Sequence, residues 1–306
     1  MQQRNVGLRA GLIVVIAAVA MLTGPAAGAD DTRLERLSPG NRLLAQRMLA
    51  SVARWDRKYR DRAVALNGGP SAAESRPESL HRETDYSIYD VWVTRGPVIE
   101  KLGGMLAEAK QQQPGRTGSP LVWSRFYSLD YHPKSPLVGM LHSAIVLQFY
   151  ENGTGFVGGW LGVMNGTRNE QDMAQLAKVV DDRFAKFGTT PGLYRQLMLK
   201  GPDKADPNYL RRPDPSGVSL YGPPLFPGDT ARSYELAEGL FEQVNDAYLE
   251  IVARRAPQSY TPDDEARRDD MRKRWLTDQL FADPFSSKVV PFEVWSLSDM
   301  PPVIRF

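Results

Sequence analysis

Two of the three histidines in the chain lie ten residues apart in one short segment, "YHPKSPLVGMLH" at 131–142. These are His132 and His142, and the third, His81, lies in a polar stretch far upstream. Imidazole titrates near neutral pH, so a positioned histidine can transfer protons in catalysis, and its neutral form also binds metal ions. Any histidine chemistry in this protein therefore depends on this one segment.

A metal site on His132 and His142 needs at least one further ligand. The acidic residues nearest in sequence are Asp130, Glu151 and Asp172. Two histidines at this spacing are a weak metal signature, and isolated histidines more often satisfy a local hydrogen bond than bind an ion. We therefore expect no metal at the two histidines.

Other motifs that would assign a chemistry are absent or misplaced. Residues 153–158 match the dinucleotide pattern G-x-G-x-x-G, but that loop requires a helix directly after its glycines, and the sequence here predicts a hairpin. The chain contains no G-x-S-x-G, no H-E-x-x-H, no phosphate-binding loop and no cysteine. Serine hydrolase, zinc peptidase and cysteine-based zinc chemistry are therefore not indicated.

The histidine segment lies in a region whose pattern predicts β-structure. From 88 to 99 and from 121 to 163, short apolar and aromatic runs alternate with turn residues. Asn152 and Gly153 give the clearest turn signal, after a strand that ends at Tyr150. That strand is mostly apolar on both faces, which is typical of a central strand in a sheet that helices cover on each side.

Helical patterns lie before and after this region. Apolar residues recur at three- and four-residue steps in four segments, at 31–66 (with a turn at 38–40), 170–186, 233–254 and from 262 towards 280.

The remaining patterns predict a last strand and a loop-rich region. "VVPFEVWSL" at 289–297 reads as a strand, and eight prolines between 191 and 227 predict loops. No repeat or domain boundary is evident. Together these patterns predict an α+β fold in a single domain from 30 to 306.

The first 29 residues predict a secretory signal peptide. Arg4 and Arg9 precede an apolar run from Gly11 to Leu22, and the small residues at 27–29 suit cleavage before Asp30. The run is shorter than the roughly 20 residues of a membrane-spanning helix. We therefore expect an exported, periplasmic protein with no stable membrane span after cleavage.

The charge balance limits the classes of partner. The chain contains 38 Lys+Arg and 36 Asp+Glu, and the predicted signal holds two arginines and no acid. A neutral mature chain offers no electrostatic basis for binding nucleic acid or an anionic membrane surface. Without cysteine, stability must come from burial, for which the chain is long enough.

Several segments resemble the oxygen-dependent coproporphyrinogen III oxidase family. The family signature has a serine, then His-Pro-x-Asn-Pro, then a second histidine ten residues after the first. Five segments carry the resemblance in sequence order: "GPVIEKLGGMLAE" at 96–108, "SLDYHPKSPLVGMLHSAIVLQFY" at 128–150, "FVGGWLG" at 156–162, "VNDAYLEIVARR" at 244–255 and "MPPVIRF" at 300–306.

The resemblance implies a fold, a reaction and roles for residues. The fold is a large antiparallel sheet between helix layers, usually in a homodimer. The reaction converts two propionates of a porphyrinogen to vinyl groups with O2 as co-substrate and no organic cofactor. By similarity, Ser128 contacts substrate, His132 matches the first histidine, and His142 is the proton donor or acceptor.

This chain also departs from the family pattern. Ala144 and Val146 stand where the family has Asn-x-Arg, which grips the substrate. A substrate with four carboxylates needs cations, because an unpaired buried carboxylate is strongly unfavourable. Candidate replacements are Lys134, Arg125, Arg168, Arg211 and Arg212.

Three functions are therefore open. The first is a divergent family member that binds a tetrapyrrole or similar ligand and has lost most of the standard catalytic set. The second is an active oxygen-dependent coproporphyrinogen oxidase with rearranged side chains and His142 as acid or base. The third is an envelope protein-interaction module in which the sheet is only a framework.

Overall fold

The computed structural model describes residues 32–70, 78–112, 118–164, 166–167, 169–199, 216–277 and 289–306. The predicted signal peptide at 1–29 lies outside these residues. The described residues belong to one compact unit, Asp31–Phe306. None of the helices described is long and apolar enough to cross a membrane.

Seven strands form one antiparallel sheet in which sequence neighbours are also spatial neighbours. They are β1 (Glu78–Glu83), β2 (Ser87–Thr94), β3 (Ile99–Ala109), β4 (Leu121–Pro133), β5 (Met140–Tyr150), β6 (Gly155–Met164) and β7 (Val218–Ser219). The predicted hairpin at Asn152 and Gly153 joins β5 to β6, and Gly153 has the positive φ of 82° that such a turn requires.

Six α-helices accompany the sheet in the part of the chain that is described. They are α1 (Pro39–Leu66), α2 (Glu170–Lys186), α3 (Gly192–Leu199), α4 (Thr230–Arg255), α5 (Pro262–Thr277) and α6 (Phe292–Ser298). The predicted turn at 38–40 is the start of α1, where the Ser38 hydroxyl accepts a hydrogen bond from the Asn41 amide. The predicted α+β class is therefore confirmed.

Helices α1, α2 and α4 cover one face of the sheet. Tyr127 and Tyr131 of β4 point to this face, where their rings lie 6.0 Å from the Trp55 ring and 5.3 Å from the Tyr248 ring. Leu129 between them belongs to the same large apolar core. Odd-numbered residues over this part of β4 thus face α1 and α4, because successive side chains on a strand alternate.

Helices α5 and α6 lie on the opposite face. Val294 and Trp295 of α6 pack with residues of β2 and β3, including Met105. Met140 of β5 packs against Met271 and Trp275 of α5. Strand β5, which ends at Tyr150, is thus buried on both faces, as its apolar pattern predicts.

The predicted strand at 289–297 is wrong, because this segment contains helix α6, Phe292–Ser298. Pro291 caps its N-terminus, and Val294 and Trp295 are buried while Phe292 is exposed. The run of apolar residues suggested a strand, in which side chains alternate between two faces. In the structure the buried residues lie instead on one side of a short helix. Helix α5 is described only as far as Thr277, so the predicted extension towards 280 lies outside the described residues.

A close backbone approach fixes α6 on the sheet. A Cβ atom added at Gly103 of β3 would overlap the backbone carbonyl of Ser298, the last residue of α6. Only glycine permits this distance between β3 and the end of α6.

We expect Gly103→Ala to destabilise the protein by about 1–3 kcal/mol, because the new methyl group must push α6 off β3. Urea unfolding measures the free energy of unfolding. Gly40→Ala is the matched control, since a Cβ atom there has no neighbour within 4 Å and alanine favours the helix that contains it. Equal stability of the two variants would contradict the close approach.

Candidate functional site

Alternation along β3, β4 and β5 places a row of polar side chains on the face covered by α5 and α6. Asp130 of β4 lies directly opposite His142 of β5. His132, two residues further along β4, lies opposite Lys101 of β3. Ser128 precedes Asp130 on the same face by two residues. We call this side of the sheet the His142 face.

Asp130 and His142 form a hydrogen-bonded dyad. The His142 Nδ1 atom lies 2.7 Å from Asp130 Oδ1, and their side chains are 19% and 2% exposed. The Trp275 ring of α5 lies 5.8 Å from the imidazole ring. When Asp130 is ionised, Nδ1–H donates to it, so the lone pair of the imidazole is placed on Nε2. Such a pair can accept or deliver a proton through the imidazole of His142.

Asp299 joins the dyad from the far end of the chain. It directly follows α6, and it is buried. Its carboxylate accepts a 2.7 Å hydrogen bond from the Ser298 hydroxyl, and its carbonyl accepts one of 3.1 Å from the Trp275 indole. One side-chain donor atom from each of Asp130, His142 and Asp299 lies within 4.8 Å of the other two.

Burial makes the two carboxyl groups share protons. Loss of hydration raises the pKa of Asp130 to about 7. Burial and repulsion from Asp130 raise the pKa of Asp299 well above its ordinary value. The imidazole contact at 2.7 Å favours the ionised form of Asp130. The hydrogen bond between the two carboxyls raises the pKa of Asp299 further and lowers that of Asp130, so Asp299 is the donor of this bond.

Lys101 supplies a buried positive charge beside the carboxyl pair. Burial lowers the pKa of Lys101 to about 8, while attraction to Asp299 and Asp130 opposes that effect. The ammonium group donates hydrogen bonds to the carbonyls of Met300 (2.5 Å) and Ser296 (3.2 Å). These carbonyls lie in and just after the last turn of α6, where a cation is favoured.

His132 is fully buried in the same row, and its surroundings keep it neutral. Burial lowers the pKa of His132 well below its ordinary value, and the positive charge of Lys101 adds to that effect. The ring lies beside the backbone of Asp299. Nevertheless, neither ring nitrogen has a hydrogen-bond partner of normal geometry among the residues that the structure describes. His132 is therefore a neutral nitrogen donor enclosed next to the cluster.

The structure brings together some of the residues predicted from sequence. Ser128, His132 and His142 share one face, and Ser128 is fully buried between Met105 and Ala144. The Ser128 hydroxyl has no hydrogen-bond partner in the described chain. Ser128 is thus enclosed between the sheet and the helices that cover this face, whereas His142 is partly exposed.

Of the predicted cations, the two that the structure describes are not enclosed with the histidines. Arg125 is an odd-numbered residue of β4 and points to the opposite face, where it is ion-paired with Glu108 at 2.7 Å. Lys134 is exposed just after β4. The other three candidates, Arg168, Arg211 and Arg212, lie outside the described residues.

Asp299 and Lys101 are the site residues that the sequence did not single out. Asp299 is far from the histidines in sequence, and the segment before it resembled a strand. The position of Lys101 beside His132 can be inferred from strand alternation only when the register between β3 and β4 is known. Asp130, by contrast, was already the acidic residue nearest to His132 in sequence.

Comparisons with known proteins add no family assignment. No protein-family model matches the chain, and no curated protein matches it significantly. The resemblance to coproporphyrinogen oxidases therefore stays a prediction from the motifs.

The raised pKa of Asp130 predicts how stability depends on pH. A carboxyl whose pKa is raised on folding stabilises the protein fully below about pH 4, and this contribution is lost as the pH rises through about 7. Since one pKa unit corresponds to about 1.4 kcal/mol, the loss is at most about 4 kcal/mol. Asn cannot ionise, so we expect Asp130→Asn to flatten this decline.

Urea unfolding of wild type and variant between about pH 4 and pH 7.5 measures the decline. Asp90→Asn is the matched control, because Asp90 makes the same 2.7 Å contact with a histidine, His81, on an exposed part of the sheet. Its profile should parallel the wild type. A parallel profile for Asp130→Asn as well would contradict the raised pKa.

Proposed function

We propose that this protein is a divergent coproporphyrinogen oxidase-like protein that binds a tetrapyrrole or similar ligand on the His142 face, with most of the standard catalytic set lost. The observation that carries the proposal is the partly exposed His142, held by Asp130 on a face where the described buried cations Lys101 and Arg272 already have partners. The antiparallel sheet between helices is consistent with the fold that the resemblance implies.

The lack of available cations supports the loss of the standard catalytic set. Ala144 and Val146, where the family has a gripping Asn and Arg, are buried on the His142 face. Lys101 is bound to carbonyls of the α6 end. Arg272 of α5 is buried and donates a hydrogen bond to Glu100 at 2.5 Å. In the described part of the chain, a ligand carboxylate would have to compete with these partners.

A second candidate is an active oxygen-dependent oxidase. The Asp130–His142 dyad favours it, because a histidine held by a carboxylate is suited to proton transfer. In this function His142 is the acid or base, and cations other than the family arginine hold the propionates.

Export and a homodimer are parts of the same proposal, and they rest on the sequence pattern and on the resemblance. Mass spectrometry of the mature N-terminus and light scattering test them. A mature protein that retains residues 1–29 would contradict the proposed export. A monomer in solution would contradict the proposed homodimer.

Two assays separate the candidates. The purified protein is titrated with coproporphyrin III while porphyrin absorbance is followed, and it is incubated with coproporphyrinogen III in air. We expect binding without vinyl product. Vinyl product would establish the active oxidase instead, and the absence of both binding and turnover would leave the envelope interaction module.

Substitution of His142 tests the location of the ligand. We expect His142→Ala to weaken porphyrin binding about tenfold, which corresponds to about 1.4 kcal/mol. His81→Ala should not change it, since His81 pairs with Asp90 on an exposed part of the sheet. Equal affinity of wild type and His142→Ala would place the ligand elsewhere.

A further inference from the structure

We propose that Asp130, His142 and Asp299 form a binding site for one divalent first-row transition-metal ion. Two carboxylates and an imidazole are ligands that such ions prefer. The three residues come from β4, β5 and the segment after α6, so the folded sheet and its covering helix assemble the site. The sequence alone disfavours a metal here, because two histidines at this spacing are a weak signature and Asp299 is far from them in the chain.

The distances fit a metal ion after a small contraction. The three donor atoms lie within 4.8 Å of one another. Bonds of about 2.0–2.2 Å to a central ion bring donor atoms to within roughly 4.4 Å of each other. The Nδ1–Oδ1 distance of 2.7 Å in the dyad would lengthen slightly as an ion replaces the hydrogen bond.

Unsatisfied buried atoms beside the three residues point independently to a missing partner. His132 is completely buried, and neither of its ring nitrogens is hydrogen-bonded in the described structure. It lies on the same face as Asp130 and next to the Asp299 backbone. Native proteins rarely leave buried polar atoms without a partner, so the two ring nitrogens of His132 indicate that a partner is missing beside the cluster.

The charge balance requires a positive charge between the two carboxyls. Two buried carboxylates in contact repel each other, so either a proton or a cation must lie between them. The ammonium group of Lys101 is held by the carbonyls of Ser296 and Met300. A divalent ion among the three donor atoms, which lie within 4.8 Å of one another, would neutralise both carboxylates.

The surroundings indicate which ions fit and how they are held. Calcium takes six to eight oxygen ligands, more than this cluster offers, whereas zinc, manganese and iron accept mixed oxygen and nitrogen donors. The Ser298 hydroxyl and the Trp275 indole orient Asp299 through side-chain and backbone hydrogen bonds.

This inference is independent of the proposed tetrapyrrole. The porphyrin titration can be run on protein treated with a chelator, and the metal titration needs no porphyrin. Failure of either one therefore leaves the other unaffected.

Cobalt and zinc ions test the site directly. Tag-free protein is freed of metal with a chelator, then titrated with Co2+ while the visible d–d absorption is followed, and with Zn2+ by calorimetry. We expect one ion per chain and a thermal unfolding temperature that rises with metal concentration. No binding, or several equivalent weak sites, would overturn the proposal.

Substitutions locate the ion. Asp299→Asn keeps the shape of the side chain and removes the repulsion with Asp130, so this variant should fold, and we expect it to weaken metal binding by about 100-fold or more. Asp130→Asn and His142→Ala should do the same, whereas Asp90→Asn and His81→Ala, which alter the exposed His81–Asp90 pair, should bind as the wild type does. Unchanged binding by folded Asp299→Asn, or a loss in the His81–Asp90 variants, would contradict the site.

Discussion

The burial of Asp130 against Asp299 is the constraint on which the His142 face depends. A buried carboxyl pair is tolerated only with a compensating positive charge and with hydrogen bonds. The surrounding residues supply both: His142 and Lys101 lie beside the pair, and Ser298 and Trp275 hold Asp299. The arrangement links β3, β4, β5, α5 and α6, so the same contacts that place the C-terminal helix also assemble the site.

Gly103 shows how backbone packing and site chemistry are connected. The close approach of Ser298 to β3 brings the end of α6 down onto the sheet, and Asp299 is the next residue. The carbonyls at this end bind the ammonium group of Lys101. A helix positioned further from the sheet would separate Asp299 from Asp130 and leave Lys101 buried without acceptors, which is costly. The short helix therefore has a chemical role as well as a packing role.

Much of this arrangement follows from sequence, and the rest depends on long-range docking. The hairpin at Asn152 and Gly153, the helices of the core layer and the central position of β5 all follow from local patterns. Strand alternation places Ser128 and His132 on one face and Arg125 on the other, so the separation of Arg125 from the histidines was visible in the spacing. Asp299 was not, because its position depends on α6, whose apolar residues resemble a strand when tertiary contacts are unknown.

The protonation of the aspartate pair tests this account most directly. Carbon-13 NMR of aspartate-labelled protein reports each carboxyl group as the pH is changed, and Asp130→Asn and Asp299→Asn assign the two signals. The account predicts that the Asp130 signal titrates near pH 7 and that Asp299 remains protonated at neutral pH. If both signals instead complete their titration near the ordinary aspartate value of about 4, the two carboxyls are not a buried, proton-sharing pair, and the proposed site loses its basis.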